Sequence, residues 1–167
     1  MYVDDEHLNC SFNRGDDRFS YRVGAIIIED GCVLLATNES ADYYYTVGGR
    51  VHFGETAHAA VMREAKEETG IDYEVDRLAF INENFFVEPC GVNKGKRFHE
   101  IGLFFVMKPR GKKAVIADGY CMDGKEHLEW VSVNELKGLR LFPTFLASRI
   151  NDLPAHAESI VTDETQE

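Results

Sequence analysis

The chain is short of the residues that would place it in several large protein classes. Its four cysteines, Cys10, Cys32, Cys90 and Cys121, are scattered over 167 residues. None forms a Cys-x-x-Cys pair or a zinc spacing, which argues against a disulfide scaffold or zinc ribbon and for free thiols in a reducing cytoplasm. No run of about 18 apolar residues occurs, so no transmembrane helix and no membrane partner is expected. The opening Met1 to Asp5 is acidic where a signal peptide would be basic, and no export is expected. Basic residues are scarce: 18 Lys and Arg stand against 29 Asp and Glu, for a net charge of −11. That balance argues against a protein that holds nucleic acid by neutralising its phosphates. It leaves small phosphate compounds open, because carboxylates loaded with divalent ions present a positive charge. No internal repeat or linker divides the chain, and its length suits one domain with a sizeable core.

What the chain does contain is concentrated between Gly49 and Ile71. Thr56 is a suitable N-cap. Residues 57–69 hold no Gly or Pro and are rich in helix formers, and Gly70 stands where a helix commonly ends in a left-handed residue. At about 100° per residue, Glu64, Glu67 and Glu68 fall within an arc of about 100°, bordered by Ala57, Ala60 and Val61. The acidic face therefore overlaps the face a helix turns toward its own domain. Like charges so placed are unfavourable. Hard divalent cations such as Mg²⁺, or Mn²⁺ in its place, reverse that sign by taking oxygen ligands.

This stretch resembles the Nudix box, G-x5-E-x7-R-E-U-x-E-E-x-G-U, where U is apolar. Gly49, Glu55, Arg63, Glu64, Glu67, Glu68 and Gly70 fill its seven fixed positions, and Ile71 fills the last apolar one. Ala65 is small for the first apolar position. At residue frequencies of about 5–7%, a chance match is on the order of 10⁻⁹ per starting position. The resemblance implies an α/β fold: a Nudix-like α/β/α sandwich with a central mixed β-sheet. The domain would run over residues 19–153, with an N-terminal arm at 1–18 and an acidic tail at 154–167 expected to fray. Many relatives are homodimers, so a homodimer is compatible with it.

The rest of the chain can be read around that box. Residues 18–28 and 32–37 read as a strand pair turned at Asp30-Gly31. A polar loop at 38–42 leads to Tyr43, Tyr44 and Tyr45, then to Thr46-Val47-Gly48-Gly49, where Val47 replaces the family's usual proline in a glycine loop. Residues 71–87 are strand-like. Residues 88–97 are a loop carrying Lys94, Lys96 and Arg97, the one basic cluster. Residues 98–107 form a clear strand in which Glu100 shares a face with Phe98, Gly102, Phe104 and Val106. A short strand is expected at 114–117, a loop with Asp118, Asp123 and Glu126 at 118–126, and a strand at 128–131 with Trp130 in the core. Ser132 to Glu135 reads as a capping box opening a short helix, and Pro143 begins the last one at 144–150.

The resemblance implies metal-dependent attack of water on a phosphorus atom. The substrate would be a small nucleotide, a nucleoside diphosphate linked to another moiety. Glu64, Glu67 and Glu68 would hold Mg²⁺, with the Gly49 region offering a backbone oxygen. Glu55 is either the partner of Arg63 or an outer metal ligand. Arg63 would orient Glu55 or a box glutamate. The general base stays open among a box glutamate, Glu100 and Glu126. Tyr45, Arg50, Lys94, Lys96 and Arg97 are candidate substrate contacts. ADP-ribose hydrolases of the family carry a Pro about 16 residues past the box. Here Pro89 lies 18 residues past Ile71, which weakly favours ADP-ribose or a nucleotide sugar. The alternatives are a pyrophosphohydrolase of non-standard or oxidised nucleoside triphosphates, and a non-catalytic nucleotide-binding module. An isopentenyl diphosphate isomerase shares the fold, but none of the cysteines fits its catalytic context.

Overall fold

A computed structural model describes residues 8–39, 41–114, 119–121 and 124–165. Eleven strands and two α-helices occur among them. In chain order they are β1 Ser11–Arg14, β2 Asp17–Ile26, β3 Ile28–Glu29, β4 Cys32–Asn38, β5 Tyr44–Arg50, α1 Ala57–Thr69, β6 Val75–Val87, β7 Arg97–Met107, β8 Gly119–Cys121, β9 Gly124–Ser132, β10 Leu141–Phe142, α2 Leu146–Arg149 and β11 Glu158–Glu164. Across the mixed sheet the order is β11-β6-β7-β2-β5-β4-β9-β8, with β1, β3 and β10 attached to β2, β4 and β5. β2 and β7 run parallel at its centre, from Asp17 opposite Arg97 to Ile26 opposite Val106 without a break in register.

Alternation along these strands divides the core in two. Val23, Ala25, Val47 and Phe105 face α1, meeting Ala60, Val61 and Ala65. Ile26, Phe80, Phe104 and Val106 face the other way, against Leu146 of α2 and Ile150 just past it. The result is the expected α/β/α sandwich with a central mixed sheet. No helix among the described residues is long and apolar enough to cross a membrane.

The box helix forms as its sequence dictates. The Thr56 hydroxyl accepts from the Ala59 amide at 3.1 Å, and Gly70 closes the helix at φ 74°. Asp30 and Gly31 both take positive φ in the two-residue turn joining β3 to β4, as the Asp-Gly signal requires.

Several local expectations are corrected. Thr46 to Gly49 is strand, not loop: β5 pairs with β2, placing Gly48 opposite Gly24 and Gly49 opposite Val23. Glu126 also lies in a strand, β9, opposite Asn38 of β4, because β8 and β9 form a hairpin where a loop was expected. Asp118, Asp123 and residues 115–117 lie outside the described residues. The capping box does not form. Ser132 Oγ accepts from Asn134 instead, and a single 3-10 turn at Leu136–Gly138 follows. The last helix is one turn, and the tail expected to fray forms β11, parallel to β6 from Glu158 opposite Phe80 to Glu164 opposite Phe86. In the N-terminal arm, β1 pairs with β2 of its own sheet.

Replacing Thr56 with Ala removes the cap of α1. It is expected to lower unfolding stability by about 1 kcal/mol, read as a fall in the urea midpoint with an unchanged slope.

Candidate active site

The site is assembled where α1 meets β5. Gly49 has no Cβ, and one built there would overlap the Glu64 carboxylate. A Cβ on Gly48 would overlap the Val23 carbonyl oxygen. The glycine pair is thus required by close approach: the sheet from one side, a helical carboxylate from the other. Gly48 also donates its amide to Glu68 Oε1 at 3.3 Å, so both carboxylates rest on the glycine strand.

Arg63 ties the helix to the loop before it. Its Nε and Nη2 reach the two Glu55 oxygens at 2.9 and 3.0 Å. Its Nη1 reaches Glu64 Oε1 at 2.8 Å and Glu67 Oε2 at 3.2 Å, and Nη2 also donates to the Arg50 carbonyl at 3.1 Å. Glu55 further accepts from the His52 amide at 3.0 Å. Both Glu55 oxygens are therefore engaged, which suits an orienting partner for Arg63 better than an outer metal ligand. Hydrogen bonding from Arg63 holds the Glu55 carboxyl below its usual range, and the surrounding carboxylates raise Arg63 above its own despite burial.

Glu126 joins this cluster from β9. Its Oε1 accepts from the Tyr45 hydroxyl at 2.7 Å, and Asn38 Nδ2 donates to that hydroxyl at 3.3 Å. Burial, then repulsion from Glu126 and Glu64, pushes Glu68 well above the ordinary carboxylate range. Burial also raises Glu64 against the pull of Arg63, and raises Glu126 against the Tyr45 hydrogen bond and Arg22. Glu67 differs from its neighbours in being 58% exposed.

Glu100 is buried, at 8% exposure, rather than at a surface strand end. By alternation with Phe104 and Val106 it faces α2 and not α1. Its electrostatic neighbours are the cations Arg22 and Arg50 and the carboxylate of Glu164, and burial raises it against the pull of the two arginines. Arg22 and Arg50 stand directly opposite each other on β2 and β5. Like charges so paired repel, and Glu100 beside them offsets that. Arg22 also feels Glu64 and Glu68, and these carboxylates raise it although burial works the other way.

The remaining candidates sit apart. Arg97 pairs with Asp17 at 2.7 Å, Lys96 donates to Asn13 at 3.3 Å, and Lys94 is exposed. The loop that carries them meets Tyr43 through Cys90, whose Sγ lies 3.7 Å from the Tyr43 hydroxyl. Arg22 and Asn38 were not singled out from the sequence. The available signal was the period-2 polar series Arg18, Ser20, Arg22 within an otherwise apolar strand.

Among the described residues no three acidic, histidine or cysteine side chains already converge as a metal-ligand group. The donor set nonetheless fits a hard divalent cation. Glu68 Oε2 is buried and has no hydrogen-bond partner, and an orphaned carboxylate oxygen beside two further carboxylates is costly without a cation. Glu64, Glu67 and Glu68 are the residues that would hold it, with oxygen-only ligation suited to Mg²⁺ or Mn²⁺.

Over most of its length the chain matches a known family. The family model described as NUDIX domain matches residues 18–150. A protein named putative nudix hydrolase 1 from Caenorhabditis elegans is 40% identical over 76 residues, covering 41% of this chain and 21% of that protein. The dihydroneopterin triphosphate diphosphatase of Escherichia coli strain K12 is 40% identical over 50 residues, 30% of this chain and 33% of that enzyme. The matches thus span between a fifth and a third of these relatives' lengths. The crystal structure of a MutT protein from Bacillus halodurans superposes with a TM-score of 0.67 at 19% identity, covering 88% of this chain and 91% of that one.

Glu68→Gln separates the two demands on this cluster. Removing a buried, repelled charge is expected to raise the melting temperature in EDTA by about 2–4 °C. The same change should abolish most of the further rise that wild type shows when Mn²⁺ is added. Thermal melts with and without Mn²⁺ check both halves.

Proposed function

The chain belongs to the Nudix family, and from that premise we propose that it is a divalent-metal-dependent hydrolase. Its bond would be the diphosphate linkage of a nucleoside diphosphate joined to another moiety. The observation that carries the reading is the cluster of the partly buried Glu64 and Glu68 with the buried Glu126, with its orphaned Glu68 oxygen, beside an Arg63 already engaged by Glu55. A binding module has no need to gather three mutually repelling carboxylates.

A bound cation would supply the positive charge a diphosphate requires and, by drawing electron density from its oxygens, make the phosphorus open to attack by water. The chain's own groups do the rest. Arg63 fixes Glu55 and Glu64, so that helix and preceding loop move as one. Glu126 is our assignment, over a box glutamate or Glu100, for the carboxylate that would accept the proton of the attacking water. Tyr45 holds one of its oxygens, and of the two candidates outside the box it is the one whose charge Glu68 feels most strongly. Glu100, on the other face with Arg22 and Arg50, is better suited to setting those two cations, which would meet the anionic substrate.

ADP-ribose and nucleotide sugars are the first substrates to test, on the position of Pro89. A second reading, release of pyrophosphate from a nucleoside triphosphate, is supported by the relative named dihydroneopterin triphosphate diphosphatase. A reducing, cytoplasmic setting is supported by the free thiols of Cys10, Cys32 and Cys90.

The deciding experiment is chromatographic detection of the phosphomonoester or pyrophosphate products formed with Mg²⁺ or Mn²⁺ from ADP-ribose, nucleotide sugars, NADH, diadenosine polyphosphates, dihydroneopterin triphosphate and nucleoside triphosphates. Glu67→Gln is expected to lose about a hundredfold or more in kcat with the fold intact, and a fully active variant would sink the metal assignment. Glu126→Gln should lose a comparable factor in kcat, whereas Glu100→Gln should act mainly on KM. The reverse pattern would reassign the base to Glu100.

A further inference from the structure

Residues 158–164 lie beyond the stretch matched by the family model, yet they are built into the sheet as β11. The strand is unusual in what it buries. Its side chains are exposed or half-exposed except at the end, where Glu164 is 7% exposed. An edge strand held by hydrophobic burial would carry an apolar residue there. A buried carboxylate is unfavourable unless its oxygens are hydrogen-bonded, and those of Glu164 are. Oε1 accepts from the Thr144 amide at 2.7 Å and from the Thr144 hydroxyl at 2.8 Å. Oε2 accepts from Asn84 Nδ2 at 3.2 Å. Thr162 Oγ1 in turn donates to Asn84 Oδ1 at 2.7 Å and accepts from Asn82 Nδ2 at 3.0 Å. The C-terminal end of β11 thus closes on β6 and, outside the sheet, on Thr144.

Thr144 is the end of a segment that reaches the site. Two residues before it, Phe142 lies opposite Tyr45 in the parallel β10–β5 pairing, with Leu141 opposite Tyr44. The Tyr44 amide donates to the Arg140 carbonyl at 2.8 Å. The Phe142 ring meets Tyr43 edge-on at 5.2 Å. The Arg140 guanidinium covers both rings, at 5.5 and 5.9 Å from their centroids. Tyr45 is the residue whose hydroxyl holds Glu126.

We propose that Glu164 is a positioning residue: by fixing Thr144 it sets the 140–144 segment against β5, and so sets Tyr45 on Glu126. The C-terminal strand is then part of how the site is built. This inference rests on the reading of Glu126 given above. It also makes a claim about order in β5 that holds whether or not that reading does.

The test compares Glu164→Ala, Glu164→Gln and Glu158→Ala in the full chain. Glu158→Ala releases the opposite end of β11 from Arg149, to which it is bonded at 2.6 Å, and leaves Thr144 untouched. In Glu164→Ala, amide exchange at Tyr44, Tyr45 and Thr46 is expected to quicken about tenfold. Glu164→Gln, which keeps an acceptor oxygen for Thr144, should restore protection, and Glu158→Ala should leave those amides at the wild-type rate. Quickening confined to residues 144–146 and 158–165 overturns the proposal, because it describes a strap and nothing more. If Glu164→Ala does not fold, Thr144→Val, which retains the amide and loses the hydroxyl, puts the same question to the same amides. On the nucleotide that wild type turns over in the panel above, Glu164→Ala should lower kcat about fivefold with KM within about twofold. It should lower kcat no further in a Tyr45→Phe background. Additive losses overturn the proposal. No turnover across the panel refutes the hydrolase reading, while the exchange rates still decide whether Glu164 orders β5.

Discussion

The Glu64 carboxylate lies in the space a side chain at position 49 would fill, and Glu68 takes the neighbouring backbone amide at Gly48. This contact between a helix and a side-chain-free strip of β5 is what the site depends on. It is why α1 presents alanines at positions 60 and 65, where bulk would hold the helix off the sheet. It is also why Arg63 reaches the Arg50 carbonyl while holding Glu55 and Glu64. A larger residue at position 48 or 49 would cost packing and would also move the carboxylates.

Bringing those carboxylates in creates the second constraint. Glu64, Glu68 and Glu126 are all raised above their usual range, and burial is the largest cause for each. Arg63 relieves Glu64 directly, and Tyr45 relieves Glu126. For Glu68 the structure provides the Gly48 amide and the more distant charge of Arg22. The strain is thus concentrated on one group, as expected of a site whose stability is set aside for a ligand. The net charge of −11 and a phosphate-directed function are compatible for the same reason: the sign that matters locally is that of the cluster once a cation is bound.

The helix, its cap and its terminator were legible because each depends on residues within a turn of one another. The Asp30-Gly31 hairpin was legible for the same reason. The carboxylates of the box could be placed on one arc from spacing alone. What was not legible depends on partners far along the chain. Glu100 and Glu126 are equivalent candidates in sequence, and only strand register separates them: Glu126 sits opposite Asn38 on the α1 side, Glu100 opposite Ser20 on the other. Thr46 to Gly49 read as a loop because two glycines are poor strand formers. They are strand because β2 on one side and α1 on the other need the room. The acidic tail read as fraying because polar composition carries no hint of a buried acceptor such as Glu164, whose partners Asn84 and Thr144 lie 80 and 20 residues away.

Register also explains how one short strand serves two faces. Along β5, Val47 and Gly49 point toward α1, whereas Thr46, Gly48 and Arg50 belong to the side of α2. A carboxylate is admitted at Gly49, and the next residue delivers a cation to Glu100 on the far side while its own carbonyl is held by Arg63. A slip of one residue would exchange the two faces, placing Arg50 under Glu64 and a glycine beside Glu100. Such a slip would also break the pairing of Gly48 with Gly24, where a Cβ on either residue collides with its surroundings. The glycines therefore fix the register as well as opening the space, and the same alignment sets Arg22 and Arg50 beside Glu100 while Arg22 still acts on Glu64, Glu68 and Glu126.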